Sequence, residues 1–189
     1  MIKQLLWGDN HDFLLKVVLF GPMKTGKTKF VEVLLNRKSK NDYEPTLCMA
    51  VYSKIIPISI DDRKRVVKLR LVDTSGDVRC HSLIKGECRS HGLNFLFYSD
   101  NALDEAIEMY EDFSTWTCPG MQIIVLVSDK PNSGLQKLPV HDKFVKFPNV
   151  KHHFHLDFSQ KEQINAMLRL LIPECGGFDI KGRDGRVWH

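Results

Sequence analysis

The sequence predicts an α/β domain built on a largely parallel sheet, and three observations carry that reading. Apolar runs of strand length alternate with segments of helical period, the pattern of strand–helix–strand units. The first such run, FLLKVVLF (Phe13 to Phe20), leads directly into GPMKTGKT (Gly21 to Thr28), and an amphipathic helix leaves it. At 189 residues with 43% hydrophobic content, the chain is long enough for one domain with a core of its own.

Taken in order, strands are expected at Phe13 to Phe20, Ala50 to Ile58, Val66 to Asp73, Leu93 to Ser99, Met121 to Ser128 and His152 to Asp157. Only IDDRKR separates the second from the third, too little for a helical crossover, so these two form an antiparallel hairpin at the sheet edge. Its charges, Asp61 and Asp62 beside Arg63, Lys64 and Arg65, read as a solvated turn. Helices are expected at about Lys27 to Asn36, His81 to Ser90, Ala102 to Phe113 and Gln160 to Leu171. Where another crossover helix would fall, Pro131, Gly134, Pro139 and Pro148 punctuate the chain, so that fourth crossover helix is lost or shortened. Residues 1–175 are read as the domain and the glycine-rich, charged 176–189 as a flexible tail.

Composition removes several function classes. The net charge of +4 is spread along the chain rather than gathered in a basic patch, so no nucleic-acid partner is expected. Cys48, Cys80, Cys88, Cys118 and Cys175 include no CxxC pair and leave an odd one over, which argues against a disulfide framework or a zinc site and for a reducing compartment. No run approaches the roughly 18 apolar residues of a membrane span, and the expectation is a soluble, cytoplasmic protein. His153 and His155 share one strand face but lack a third ligand at a recognisable spacing, so they read as structural. Trp7, Trp116 and Trp188 read as packing residues.

The chemistry is carried by glycine, four residues, then Gly26-Lys27-Thr28. A strand running into such a loop and a helix leaving it bring backbone N–H groups and a helix N-terminus together on an anion. Met23, Lys24, Thr25, Gly26, Lys27, Thr28 and Lys29 form the expected phosphate-binding stretch. Lys27 supplies a point charge to the β- and γ-phosphates, and the Thr28 hydroxyl is a ligand for Mg2+. Thr46 follows 18 residues after Thr28, and DTSGD (Asp73 to Asp77) ends an apolar strand. An aspartate there can hold magnesium through water, while Gly76 lets a backbone N–H approach a γ-phosphate. Alone, Thr46 is a turn residue after Pro45 and Asp73 a helix cap; the order of the three motifs joins them into one site.

From about Asp12 to Leu171 the chain resembles the Ras superfamily of small GTPases, and its Rab branch in particular. The resemblance implies a P-loop NTPase with a Ras-like, six-stranded mixed sheet flanked by helices, binding GTP or GDP. It also implies a first switch around Tyr43 to Thr46, a second at Asp73 to Asp77, and Mg2+ held by Thr28 and Thr46, with Asp73 behind them. Both switches would then be tied down by the γ-phosphate and relax on its loss.

The departures from the family pattern matter as much. Asp77 stands where hydrolysing members carry a water-orienting glutamine, and Met23 where they have a small residue, so slow hydrolysis is expected. Asp129-Lys130-Pro131-Asn132 stands where the family has asparagine, lysine, any residue, aspartate. Lys130 can still lay its stem along a base. Asn132 offers guanine one acceptor and no charge, and Ser39 falls where an aromatic ring commonly meets the base. Phe158 is a further base-contact candidate or a core plug, and Ser159 with Glu162 spells a helix-capping box.

GPMKTGKT, YEPT, DTSGD and above all DKPNSG are similar to one small group within the superfamily, the Rab-like proteins of intraflagellar transport. That likeness implies a subunit of the intraflagellar transport B complex in cilia or flagella. Its implied partner is the coiled-coil heterodimer of the complex's subunits seventy-four and eighty-one. With GRVWH as the final residues and Cys175 as the last cysteine, no lipid anchor is expected. Three readings therefore stand side by side: a nucleotide-dependent binding module, a GTPase that needs an activating protein, and a structural pseudo-GTPase. A nucleoside kinase is disfavoured, because Thr46 and DTSGD would have no role in one.

Overall fold

A computed structural model describes residues 11–37, 46–60, 63–88, 92–115 and 122–175. Seven strands among these residues form one sheet: β1 Phe13–Phe20, β2 Met49–Ile60, β3 Arg63–Thr74, β4 Gly92–Tyr98, β5 Gln122–Asp129, β6 Gln136–Leu138 and β7 Val150–Leu156. Their spatial order is β2-β3-β1-β4-β5-β7-β6. The five central strands are parallel, while β2 and β3 form the expected edge hairpin, with Ile60 opposite Arg63. Among the described residues, four α-helices cover the sheet: α1 Lys27–Leu34, α2 His81–Cys88, α3 Leu103–Ser114 and α4 Lys161–Leu171.

Burial explains the layering. The strands covered on both faces are apolar almost throughout; Val17, Val18, Leu19 and Phe20 of β1 are all buried. One core lies under α1 and α4, where Phe30, Val31, Leu34, Ile164, Met167, Leu168 and Leu171 meet the sheet. The other lies under α2 and α3, built on Ile84, Ala106, Met109, Tyr110 and Phe113. Because the central strands are parallel, the loops after Phe20, Thr74, Tyr98, Asp129 and Leu156 all open at one edge of the sheet. Ligands of open α/β sheets bind at that edge.

The sheet has one strand more than the six expected. The proline-rich segment after Asp129 forms no α-helix; it lays β6 antiparallel on β7, pairing Gln136 with His155 and Leu138 with His153. A 3-10 turn at Asp142–Phe144 follows, and Phe144 is fully buried in the α3-side core. Its ring stands edge-on to Tyr110 at 6.1 Å, and Phe147 packs on Tyr110 at 4.5 Å. Two phenylalanines from a short excursion thus fill space that a crossover helix would cover. Full burial of one such ring contributes roughly 2–3 kcal/mol.

Residues 176–189, Trp7, Trp116, Trp188, Cys118, Ser39, Tyr43 to Pro45, and the Asp61–Asp62 turn lie outside the described residues. No helix among the described residues is long and apolar enough to cross a membrane.

Candidate nucleotide site

The loop between β1 and α1 has the features an anion needs. Gly26, immediately before the helix, has a φ of +91°, a conformation costly for any residue with a Cβ. A Cβ there would also lie 2.8 Å from Cδ2 of Phe158. No side chain caps α1 and its first turn holds no acidic residue. The N–H groups of that turn, and the positive end of the helix, are left for a bound anion. Thr25 tightens the loop by donating to the Pro22 carbonyl at 2.8 Å. Met23 and Lys24 stand exposed on its rim.

Lys27 is buried, and its Nζ donates to the Gly21 and Pro22 carbonyls at 2.8 and 2.6 Å. Burial pushes its pKa down to about 8, against the pull of Asp73 and Glu105. Two of the three ammonium donors thus hold the loop in shape. A polyphosphate beside Lys27 would favour the charged form that burial disfavours.

The three residues expected to serve magnesium come together. Thr28 Oγ1 donates to Asp73 Oδ2 at 2.8 Å and lies 3.1 Å from Thr46 Oγ1. Since the Thr28 proton points at Asp73, Thr46 is the donor in the second contact. Asp73 is buried, and its Oδ1 has no hydrogen-bond partner among the described residues. Burial raises its pKa, an effect opposed by the Thr28 hydrogen bond and by Lys27. A buried carboxylate oxygen without a partner is costly, and a hard cation would relieve that cost. The donor set is all oxygen, as Mg2+ prefers. No cluster of three or more His, Cys, Asp or Glu that could hold a metal ion occurs among the described residues.

Gly76 lies against the phosphate loop. A Cβ on it would fall 2.4 Å from the Met23 nitrogen and 2.6 Å from the Pro22 carbonyl carbon, so no larger residue fits without moving backbone. Next to it, the Asp77 carboxylate is engaged by Arg79. The Arg79 backbone N–H donates to Oδ1 at 2.9 Å, and Nε and Nη2 donate to the two oxygens, the shortest contact being 2.6 Å. The Ser75 backbone N–H donates to the Cys48 carbonyl at 2.7 Å, which ties the segment after Thr46 to the Asp73–Asp77 segment.

The base side is a lattice of hydrogen bonds around two aspartates. Asp157 accepts from the Asn132 N–H at 2.9 Å and from the Ser159 N–H and hydroxyl at 2.8 and 2.6 Å. Its carboxyl is held below the usual range, first by the Ser159 hydroxyl and then by these backbone N–H groups. Asp129 accepts from Lys29 Nζ at 2.9 Å and from the Phe158 N–H at 3.0 Å. Lys130 Nζ reaches Asp100 at 2.7 Å. Asn132 adopts a left-handed φ of +61°, a conformation asparagine tolerates better than most residues.

A sequence profile for the family described as "Ras of Complex, Roc, domain of DAPkinase" matches residues 16–131, more than half of the chain. The chain belongs to this Roc family of the Ras superfamily. Among curated proteins, the GTP-binding protein ypt4 of Schizosaccharomyces pombe is 23% identical over 88% of the chain and 70% of its own length. Human Ras-related protein Rab-30 is 24% identical over 88% of the chain and 81% of its length. Human Ras-related protein Rab-4A is 27% identical over 61% of the chain and 49% of its length. The likeness is thus to small GTP-binding proteins with a weak Rab character, and GTP or GDP is the ligand the family implies.

For this Roc-family chain, the geometry decides one open reading and corrects one expected role. The Phe158 ring is fully buried, edge-on to Phe30 at 5.6 Å and Phe97 at 5.4 Å, so it plugs the core beneath Gly26 and offers no face to a base. Ser159 does not cap a helix: α4 begins at Lys161 without a side-chain cap, because the Ser159 hydroxyl is taken by Asp157. Lys29 points its ammonium to Asp129. Residue-by-residue reading missed Gln163, whose Oε1 accepts from the Asp157 N–H while its Nε2 donates to the Ser133 carbonyl. It also missed Asp100 as the anchor of Lys130. A basic residue right after GKT together with an aspartate at the usual asparagine position was the available signal for the Lys29–Asp129 pair.

Proposed function

We propose that the chain is a nucleotide-dependent binding module with slow intrinsic hydrolysis. It binds GTP or GDP with Mg2+ and serves as a subunit of the intraflagellar transport B complex in the cytoplasm and the cilium or flagellum. The observation that carries slow hydrolysis is the Asp77–Arg79 pair. The residue at the water-orienting position is a carboxylate whose oxygens are occupied by a neighbouring guanidinium. Such a group cannot both donate to and accept from an attacking water as an amide does.

Within the site, Lys27 and the first-turn amides of α1 would bind the phosphates. Thr28 and Thr46, with Asp73 behind them, would hold the magnesium ion, whose chemistry is to neutralise charge on the phosphate oxygens. Thr46 links the first switch to this centre, and Gly76 brings the second to the loop. The two segments therefore respond together to the ligand and can present a joint surface to the coiled-coil heterodimer of subunits seventy-four and eighty-one.

The test loads the protein with GTP or GDP, measures single-turnover hydrolysis, and measures capture of that heterodimer by wild type and Thr46→Ala. Capture that depends on GTP and on Thr46, with turnover over hours, supports the proposal. Equal capture in all states places the interface elsewhere.

One observation favours the structural pseudo-GTPase instead. Lys27 is satisfied by the carbonyls of its own loop, and Thr28 by Asp73, so the loop keeps its shape through internal hydrogen bonds. Nucleotide content of the purified protein after denaturation separates the two readings.

A further inference from the structure

We infer that Lys29 and Asp129 form a positioning pair that ties the phosphate loop to the base loop, so that the Lys29 side chain supports nucleotide binding without touching the nucleotide. This rests on the nucleotide-binding reading of the site. Lys29 sits two positions after Lys27 on α1, and two helical steps turn a side chain by about 200°. It therefore leaves the helix on the side away from Lys27 and meets Asp129 across 100 residues of sequence, at 2.9 Å.

Asp129 ends β5, and its second oxygen accepts the Phe158 N–H at 3.0 Å. One carboxylate thus fastens three segments: the phosphate-loop helix, the loop that starts at Lys130, and the loop after β7. The ring of Phe158 in turn lies under Gly26, where a Cβ would come within 2.8 Å of it. The fastening therefore closes on the phosphate loop from both sides.

Charge explains why a lysine is needed. The resembling GTPases carry a neutral asparagine at the position of Asp129. A bare carboxylate beside the phosphate-loop helix would oppose the binding of an anion there, and Lys29 cancels it. The two side chains are 39% and 24% exposed; a pair so solvated adds little to stability. Its effect belongs in ligand affinity rather than in melting.

The test is titration of fluorescent GDP, with magnesium, against wild type, Lys29→Met, Lys29→Arg and Lys29→Met combined with Asp129→Asn. Lys29→Met should weaken binding about tenfold, mainly through faster dissociation, with the ligand-free melting temperature nearly unchanged. Lys29→Arg should bind as wild type does. The double variant should return to within about threefold of wild type, because an amide still accepts from Phe158 and carries no charge to be matched. A double variant as weak as Lys29→Met would overturn the inference and make Lys29 a direct ligand contact, as would wild-type affinity in Lys29→Met. Failure of the underlying reading looks different: wild type itself would bind no GDP and Lys27→Ala would change nothing.

Discussion

The Thr28 hydroxyl donates to the Asp73 carboxylate at 2.8 Å, joining positions 45 residues apart at the mouth of the phosphate loop. The other oxygen of Asp73 is buried without a hydrogen-bond partner among the described residues. Asp73→Asn would keep a hydrogen-bond acceptor for Thr28 while removing the charge. GTP affinity should then fall about 10- to 100-fold in magnesium and change little in EDTA, as titration under both conditions would show. An equal loss in both would mean that Asp73 acts on the loop rather than on the cation.

The proposed slow hydrolysis rests on the Asp77–Arg79 pair. Asp77→Gln restores an amide able to orient water, and single-turnover hydrolysis should rise by about tenfold or more, a small part of what complete transition-state machinery supplies. An unchanged rate would place the defect elsewhere, with Met23 the next residue to vary.

Phe158 is a stability residue. Its ring is fully buried among Phe30 and Phe97, so Phe158→Ala should cost about 3–5 kcal/mol in urea unfolding. Phe158→Leu should cost less. Wild-type stability with weakened GDP binding would restore the base-contact role.

Acid sensitivity has a local source beside the base loop. His153 Nδ1 faces the Pro139 carbonyl at 2.9 Å and so carries a proton; its Nε2 accepts from the Tyr98 hydroxyl at 2.6 Å. His155 Nε2 lies 3.0 Å from the same hydroxyl and must donate to it. Burial lowers both histidine pKa values below 6.5, at His153 against the Pro139 hydrogen bond and with His141 and Lys130, and at His155 with His153 and Lys130 and against Asp100. The unfolded chain therefore binds protons first as pH falls. Stability contributed by the neutral pair is full above pH 6.5, falls as the pH drops towards the lowered values, and levels off beneath them. Denaturation midpoints between about pH 5 and 7.5 should decline with acid in wild type and less in His153→Gln; parallel curves would exclude this source.

Most of the fold was legible because alternation of strand and helix periods is a local signal. β1, the β2–β3 hairpin and α4 fall close to the positions their sequences indicate. β6 was not legible: Gln136-Lys137-Leu138 has no alternation to read, and it is a strand only because β7 offers an open edge. The Thr28–Thr46–Asp73 centre could be read from motif order. The pair of Lys29 with Asp129 was missed: a basic residue after GKT and an aspartate at the usual asparagine position were its signal, but 100 residues separate two charged side chains that each look solvated. Ser159 was misread for a related reason. SQKE spells a capping box, but Asp157, two residues upstream, offers a nearer charged acceptor.

The most direct test is calorimetry of nucleotide-free protein with GTP and GDP in magnesium, alongside Lys27→Ala. One-site binding that needs magnesium for full affinity and is lost in Lys27→Ala is the predicted result. Absence of heat from either nucleotide, or equal binding by Lys27→Ala, would contradict the assignment of this loop as a polyphosphate site.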